Sequence, residues 1–245
     1  MDTLDSRALR YTDCFGQRFM RAGRFPYAVV RTGQQGLTDA PFAVIVDKGA
    51  DGRPMDQHEV TVNVVDRRLV AQPAELRIVE GDMVLWNAPE GDTPPYAIAG
   101  EKEFFSSAAL QNESGFTHAF GLPGEYEWRD ANGSGLGGTV IVRPPEGTDT
   151  EAGRRRWMDQ LAEGALVMID GRRADPAKLE IVTGQTVFFI VVKAPGITIT
   201  DVRLLERDPT RIVKPEPARR TGRVVKPAAK GRTVKKAKKA PAKRR

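Results

Sequence analysis

The sequence predicts an all-β protein built from two β-sandwiches, and three observations point there. Short runs of β-branched and aromatic residues are separated by Gly, Pro and Asp turn signals. Residues 73–86 (PAELRIVEGDMVLW) are echoed by residues 176–189 (PAKLEIVTGQTVFF), with seven of fourteen positions identical. Residues 116–128 (FTHAFGLPGEYEW) are echoed by residues 15–27 (FGQRFMRAGRFPY), in the form F-x-x-x-F-x-x-x-G-x-aromatic-x-aromatic. The order along the chain is back half, whole unit, front half. Half a sandwich cannot bury its apolar face alone. The repeats therefore predict one continuous sandwich over residues 58–144 and a second assembled from residues 14–47 and 165–206. Those halves pair within one molecule or by a swap between chains. A linker helix at 149–164 and a disordered basic tail at 207–245 complete the expected architecture.

Taken in order, residues 1–13 are a polar lead-in. Residues 24–30 (RFPYAVV) and 42–46 (FAVIV) have strand composition, and residues 31–41 between them, with Gly33, Gly36 and Pro41, form a loop. Residues 47–57 read as a linker, with Gly49, Gly52 and Pro54. The alternation of residues 59–64 (EVTVNV) marks a half-buried strand. Residues 76–79 and 83–86 flank a tight turn at Glu80-Gly81-Asp82, and residues 96–98 form another short strand. Residues 116–120 and 125–129 pair around Leu122-Pro123-Gly124, and residues 139–142 close the unit. After a linker at 144–150, residues 151–163 are the one good helix candidate. Asp149 or Thr150 caps it, and Trp157 and Leu161 share the face that packs across the junction between units. Strands follow at 166–169, 179–182, 186–192 and 197–202, and apolar patterning stops after Leu205.

The middle unit carries Leu76-x-Ile78-x-x-Gly81-Asp82-x-Val84-x-Trp86, then Phe116-x-x-x-Phe120-x-x-x-Gly124-x-Tyr126-x-Trp128, then residues 137–142 (GGTVIV). This pattern resembles the cupredoxin family, the blue-copper β-sandwiches that include plastocyanin and azurin. The resemblance covers most of residues 60–143 plus the outer halves, and it implies Greek-key sandwiches. It also implies where copper ligands would fall, since that site takes two His, one Cys and an axial Met. In the middle unit those positions hold Tyr96, Asp130, residues 131–134 and Leu136. In the split unit they hold Val29 and residues 194–196. None is a family ligand, so no metal, cofactor or electron-transfer role is expected.

Other chemistry is sparse. His118 alternates with Phe116 and Phe120, as a partly buried strand residue does. His58 has Asp56 and Glu59 nearby, as a solvated pair. Residues 133–138 (GSGLGG) precede a strand and lack the Lys and helix of a phosphate loop. No serine sits in a G-x-S-x-G elbow, and Asp82, Asp92 and Asp130 fall at turns. No catalytic residue is expected. The lone Cys14 makes no intramolecular disulfide, and the acidic start offers no signal peptide, so a cytoplasmic protein, nucleoid-associated or not, is expected.

Charge is divided unevenly. Residues 207–245 hold sixteen Lys and Arg against Asp208 and Glu216, a net charge of +14, while the other 206 residues hold 22 basic and 30 acidic groups, a net −8. With five Pro and no aromatic residue, the basic segment cannot offset chain entropy by burial and is expected to be disordered. Its end resembles the Lys/Ala/Pro tails of linker histones. Its cations are the candidate nucleic-acid contacts: Arg219, Arg220, Arg223, Lys226, Lys230, Arg232, Lys235, Lys236, Lys238, Lys239, Lys243, Arg244 and Arg245. The expected function is non-enzymatic, a structural or binding protein that holds DNA, RNA or another polyanion without reading sequence, and without membrane insertion. A self-assembling ring, filament or shell subunit, with the tail as its assembly arm and joined by complementation of the half-domains into a homo-oligomer, is the alternative, and a copper or electron-transfer cupredoxin is the second.

Overall fold

Backbone pairing sorts the strands into three sheets in the computed structural model, which describes residues 3–32, 39–50, 52–101 and 104–207. The first series is β1 (Asp13–Arg18), β2 (Gly23–Arg31), β3 (Phe42–Asp47), β4 (Gln57–Val65), β5 (Arg68–Gln72), β6 (Glu75–Val79), β7 (Met83–Asn87) and β8 (Tyr96–Gly100). The second is β9 (Ser114–Ala119), β10 (Gly124–Arg129), β11 (Gly137–Arg143), helix α1 (Glu151–Glu163), β12 (Ala165–Asp170), β13 (Arg173–Asp175), β14 (Lys178–Val182), β15 (Thr186–Lys193) and β16 (Thr200–Asp201), then helix α2 (Val202–Arg207). One eight-stranded sheet has the order β13-β12-β15-β9-β1-β7-β4-β5. Two four-stranded sheets have the orders β6-β3-β2-β8 and β14-β11-β10-β16.

The all-β sandwich architecture is as expected, but the halves combine differently. Strands β1, β2 and β3 pair with β7, β8 and β6, so residues 13–47 complete residues 57–100. Strands β9, β10 and β11 pair with β15, β16 and β14, so residues 114–143 complete residues 165–201. The unit expected to be continuous over 58–144 is thus divided between two sandwiches, and the terminal halves do not share one. Because the two front halves resemble each other, as do the two back halves, the repeats are compatible with either pairing. Connectivity decides, since segments close in the chain are the ones that pair most often. Each half finds its complement within the chain.

The two sandwiches join where β1 pairs antiparallel with β9, with Phe15 opposite Phe116 and Gly16 opposite Gly115. Reading outward from this seam, each strand meets its counterpart in the other repeat, which makes the seam a local pseudo-twofold. Each four-stranded sheet covers one half of the large sheet. In the first core the Trp86 ring lies 5.5 Å from both Tyr27 and Phe105 and 5.4 Å from Phe15. In the second, Trp128 meets Phe189 edge-on at 5.6 Å. Such rings each bury a large apolar area and help to drive each sandwich shut.

Residues 3–13 are more than a lead-in. Ser6-Arg7-Ala8-Leu9 recurs as Ser107-Ala108-Ala109-Leu110. Ser6 exchanges two hydrogen bonds with Ile199 of the second sandwich, and the chain then crosses so that Leu9 bridges Tyr96 of the first. Ser107 binds Ile98 of the first sandwich in the same way, and Leu110 then bridges Ile197 of the second. The two arms lace the sandwiches together.

Helix α1 forms where expected, and the open choice of cap falls to Thr150, whose Oγ1 accepts a hydrogen bond from the Gly153 amide at 3.0 Å. Its Trp157 Nε1 donates to the Thr183 carbonyl at 2.9 Å. It therefore packs on the β14–β15 turn at the end of the second sandwich, not across the junction. The strand expected at 197–202 pairs as β16 only over Thr200 and Asp201. There the Asp201 carboxylate accepts the Arg203 amide at 2.8 Å and starts α2. No helix among the described residues is long and apolar enough to cross a membrane.

Candidate functional site

All thirteen candidate nucleic-acid contacts, Arg219 to Arg245, lie outside the described residues, as does the expected tail from residue 208 onward. What the structure places are the positions that the cupredoxin resemblance marks for copper, together with a cleft and two histidines.

The ligand positions are redistributed with the halves. Val29 and Tyr96 belong to the adjacent strands β2 and β8 of the first sandwich, whereas Asp130 and Leu136 belong to the second. Tyr96 is fully buried, and burial pushes its hydroxyl pKa up. Asp130 accepts the amides of Asn132, Ser134 and Thr198 at 3.0, 2.9 and 2.8 Å. Burial opposes its ionisation, but these N–H groups outweigh burial and hold the carboxyl below its usual range. The carboxylate is spent on stapling the 131–136 loop to Thr198. Residues of this kind do not fit copper, and no group of three or more His, Cys, Asp or Glu able to hold a metal ion occurs among the described residues.

His118 lies on the same face as Phe116, as the alternation implies, with its ring 4.6 Å from Phe120. It is 1% exposed, and its Nδ1 sits 2.5 Å from Asp13 Oδ1 across the seam. Burial pushes the Asp13 carboxyl up, against the hydrogen bond from His118. His118 Nε2 meets no partner among the described residues. The pair joins β1 to β9 at facing positions and so pins the seam. His58 is not a solvated partner of Asp56 or Glu59. Its Nε2 meets the buried Asp82 at 3.0 Å. Burial pushes the Cys14 thiol up to about 12, which favours its protonated form.

A cleft of about 630 Å³ opens at the end of the seam opposite His118. It lies between Gln17–Arg21 of the first repeat and Asn112, Glu113 and Lys193 of the second. The Arg21 guanidinium lies 4.5 Å over the Phe104 ring and 5.6 Å from Phe25, an exposed cation–aromatic ledge. Arg18 is engaged by the Gly81 carbonyl at 2.8 Å and by Glu113. Nothing in the sequence pattern singles out this cleft, because its residues come from both repeats. A comparison of the chain with protein families, curated proteins and solved structures finds no match. The class defined by the fold is architectural: a tandem β-sandwich chain whose two repeats share one sheet.

Proposed function

We propose that this chain is a non-enzymatic structural protein whose basic C-terminal segment binds nucleic acid, or another extended polyanion, without reading its sequence. The observation that carries this is the segregation of charge. Residues 207–245 have a net charge of +14, and the preceding 206 residues have a net charge of −8. The field of the acidic body repels phosphate, so attraction must come from the basic segment. Lysine and arginine that meet phosphates release condensed counterions, which makes such binding steeply salt-dependent. The segment has no aromatic residue to stack on bases, so it discriminates charge and not sequence.

Fluorescence anisotropy on generic duplexes tests the reading, with the full chain compared with a chain ending at Arg207. The full chain is expected to bind duplexes of unrelated sequence alike and to weaken sharply with added salt. The shortened chain is expected to lose at least tenfold in affinity, roughly the loss of a few phosphate contacts. Equal affinity of the two chains would remove the proposal.

A further inference from the structure

The outer face of the eight-stranded sheet is apolar where a solvated face would be polar. Strand β15 reads TVFFIVVK, and its inward residues Val187, Phe189 and Val191 fill the second core. Its outward residues Phe188, Ile190 and Val192, with Leu166 and Met168 on β12, are 41–46% exposed. An antiparallel strand with one wet face alternates apolar and polar residues, whereas one apolar on both sides is the pattern of a strand covered on both sides. The two small sheets cover only the inner face.

Beside this ridge the face is grooved. The seam places Gly16 opposite Gly115 at its centre, with Leu85 leaning to 3.0 Å from where a Gly16 Cβ would lie. Met83 and Leu85 rise on the far side, and Phe188 and Ile190 on the near side, around a groove of about 370 Å³. Ridge and groove lie side by side on one face, because β15 pairs with β9 and β9 pairs with β1. Other exposed apolar side chains, such as Leu122 and Met158, lie elsewhere.

We infer that this face is a self-association surface, on which a second copy of the chain packs its own outer face in a twofold, back-to-back contact. Charge selects the occupant. The outward side chains at the middle of β12, β15, β9, β1 and β7 include no Lys, Arg, Asp or Glu, and Glu113, which also lines the groove, is paired with Arg18. A face this apolar offers little to a phosphate backbone or to the basic segment with its sixteen cations, and it favours an apolar complement. A second copy supplies both shapes at once, since the ridge of each molecule enters the glycine groove of the other, as an isologous interface requires. Twisted sheets stack well in this way, ~10 Å apart. Five strands ~4.8 Å apart and ~18 Å long present roughly 430 Å² of flat face per copy. Side-chain relief raises the total buried toward the ~1,000–1,200 Å² at which specific interfaces begin, so the dimer should be reversible. Association here is independent of whether the basic segment binds nucleic acid.

Sedimentation velocity of the full chain at high ionic strength, which silences the charged segment, tests this. The wild-type protein is expected to move from monomer to dimer as its concentration rises. Ile190→Glu and Phe188→Glu, both exposed in the monomer, are expected to remain monomeric at loadings where wild type is dimeric, with an unchanged circular dichroism spectrum. Ile190→Thr keeps a β-branched residue in the strand and is expected to weaken the dimer several-fold. Met158→Glu on α1 is expected to leave the dimer intact. A wild-type monomer at every loading overturns the inference, whatever else the groove then binds. So does a dimer that survives all three substitutions on the face, or one that Met158→Glu dissolves equally.

Discussion

Ser6 and Ser107 make the same hydrogen bond on opposite sandwiches: the Ser6 hydroxyl accepts the Ile199 amide, and the Ser107 hydroxyl accepts the Ile98 amide, each at 3.1 Å. Each serine is fully buried and sits on the arm that crosses from one sandwich to the other. Replacing either with Ala leaves a buried N–H without this acceptor, at a cost of ~1–3 kcal/mol. Each variant should melt at lower temperature. Hydrogen exchange should also rise at Ile98 in Ser107→Ala and at Ile199 in Ser6→Ala. Unchanged exchange at those amides would show that the arms do not hold the sandwiches together.

Phe105 lies in the second repeat yet belongs to the first core, with its ring stacked on Trp86 at 5.5 Å and edge-on to Phe19 at 5.4 Å. It is 1% exposed. Phe105→Ala removes a buried ring from a close-packed site, which typically costs ~3–5 kcal/mol. Denaturant titration should show that loss, and the Trp86 emission should shift to longer wavelength. A variant of native stability would mean that the core collapses to fill the space.

How much of this was legible in the sequence depends on whether the signal was local. Helix α1 was, because the Thr150 cap and the Trp157–Leu161 spacing fall within twelve residues. The similar halves were legible because the same side chains fill the same places, Trp86 and Phe189 among them. Which halves pair was not, since Leu76 and Leu179 suit the partner strand equally and only chain connectivity separates them. Four-residue arms beginning at Ser6 and Ser107 were too short to stand out. Strand β15 was read as a strand, but its outward Phe188 and Ile190 gain meaning only once the inner face is known to be covered. The charge of residues 207–245 is legible in full, being composition alone.

Gly153 sits inside α1, where propensity alone would favour Ala by ~1 kcal/mol. Packing reverses the sign. A Cβ at residue 153 would lie 1.8 Å from the Gly147 carbonyl oxygen, on backbone that cannot yield without moving the cap. Gly153→Ala should therefore destabilise the chain and loosen the contact between Trp157 and Thr183. Thermal melting and exchange at the Trp157 indole N–H measure both. A rise in stability would show that the 147–150 turn moves at no cost.

Asp82 should govern acid stability. It is 1% exposed, which opposes ionisation, but it accepts the Asp56 and Val79 amides and meets His58 and Arg53. Together these outweigh burial and hold the carboxyl down to about 2. Its unfolded value is ~3.9, so the folded pKa is the lower one. The stabilisation is present in full above about pH 4 and is lost as pH falls from there toward about 2. Asp82→Asn should be less stable than wild type at neutral pH, and the gap should narrow across that window. A constant gap down to the lowest pH would assign the acid sensitivity to other carboxylates.

The basic segment should act as a set of additive phosphate contacts. Lys235, Lys236, Lys238 and Lys239 are four charges within five residues. Each phosphate contact contributes ~0.9 to the slope of log K against log salt on duplex DNA. Replacing all four with Gln should weaken binding equally on unrelated duplexes and flatten the slope by ~3–4 if every one meets a phosphate. A salt titration of duplex anisotropy for wild type and variant reads this directly. If affinity falls but the slope does not, the four lysines touch something other than the phosphate backbone. If neither changes, the contacts lie among Arg219, Arg220, Arg223 and their neighbours, and the C-terminal cluster contributes nothing to binding.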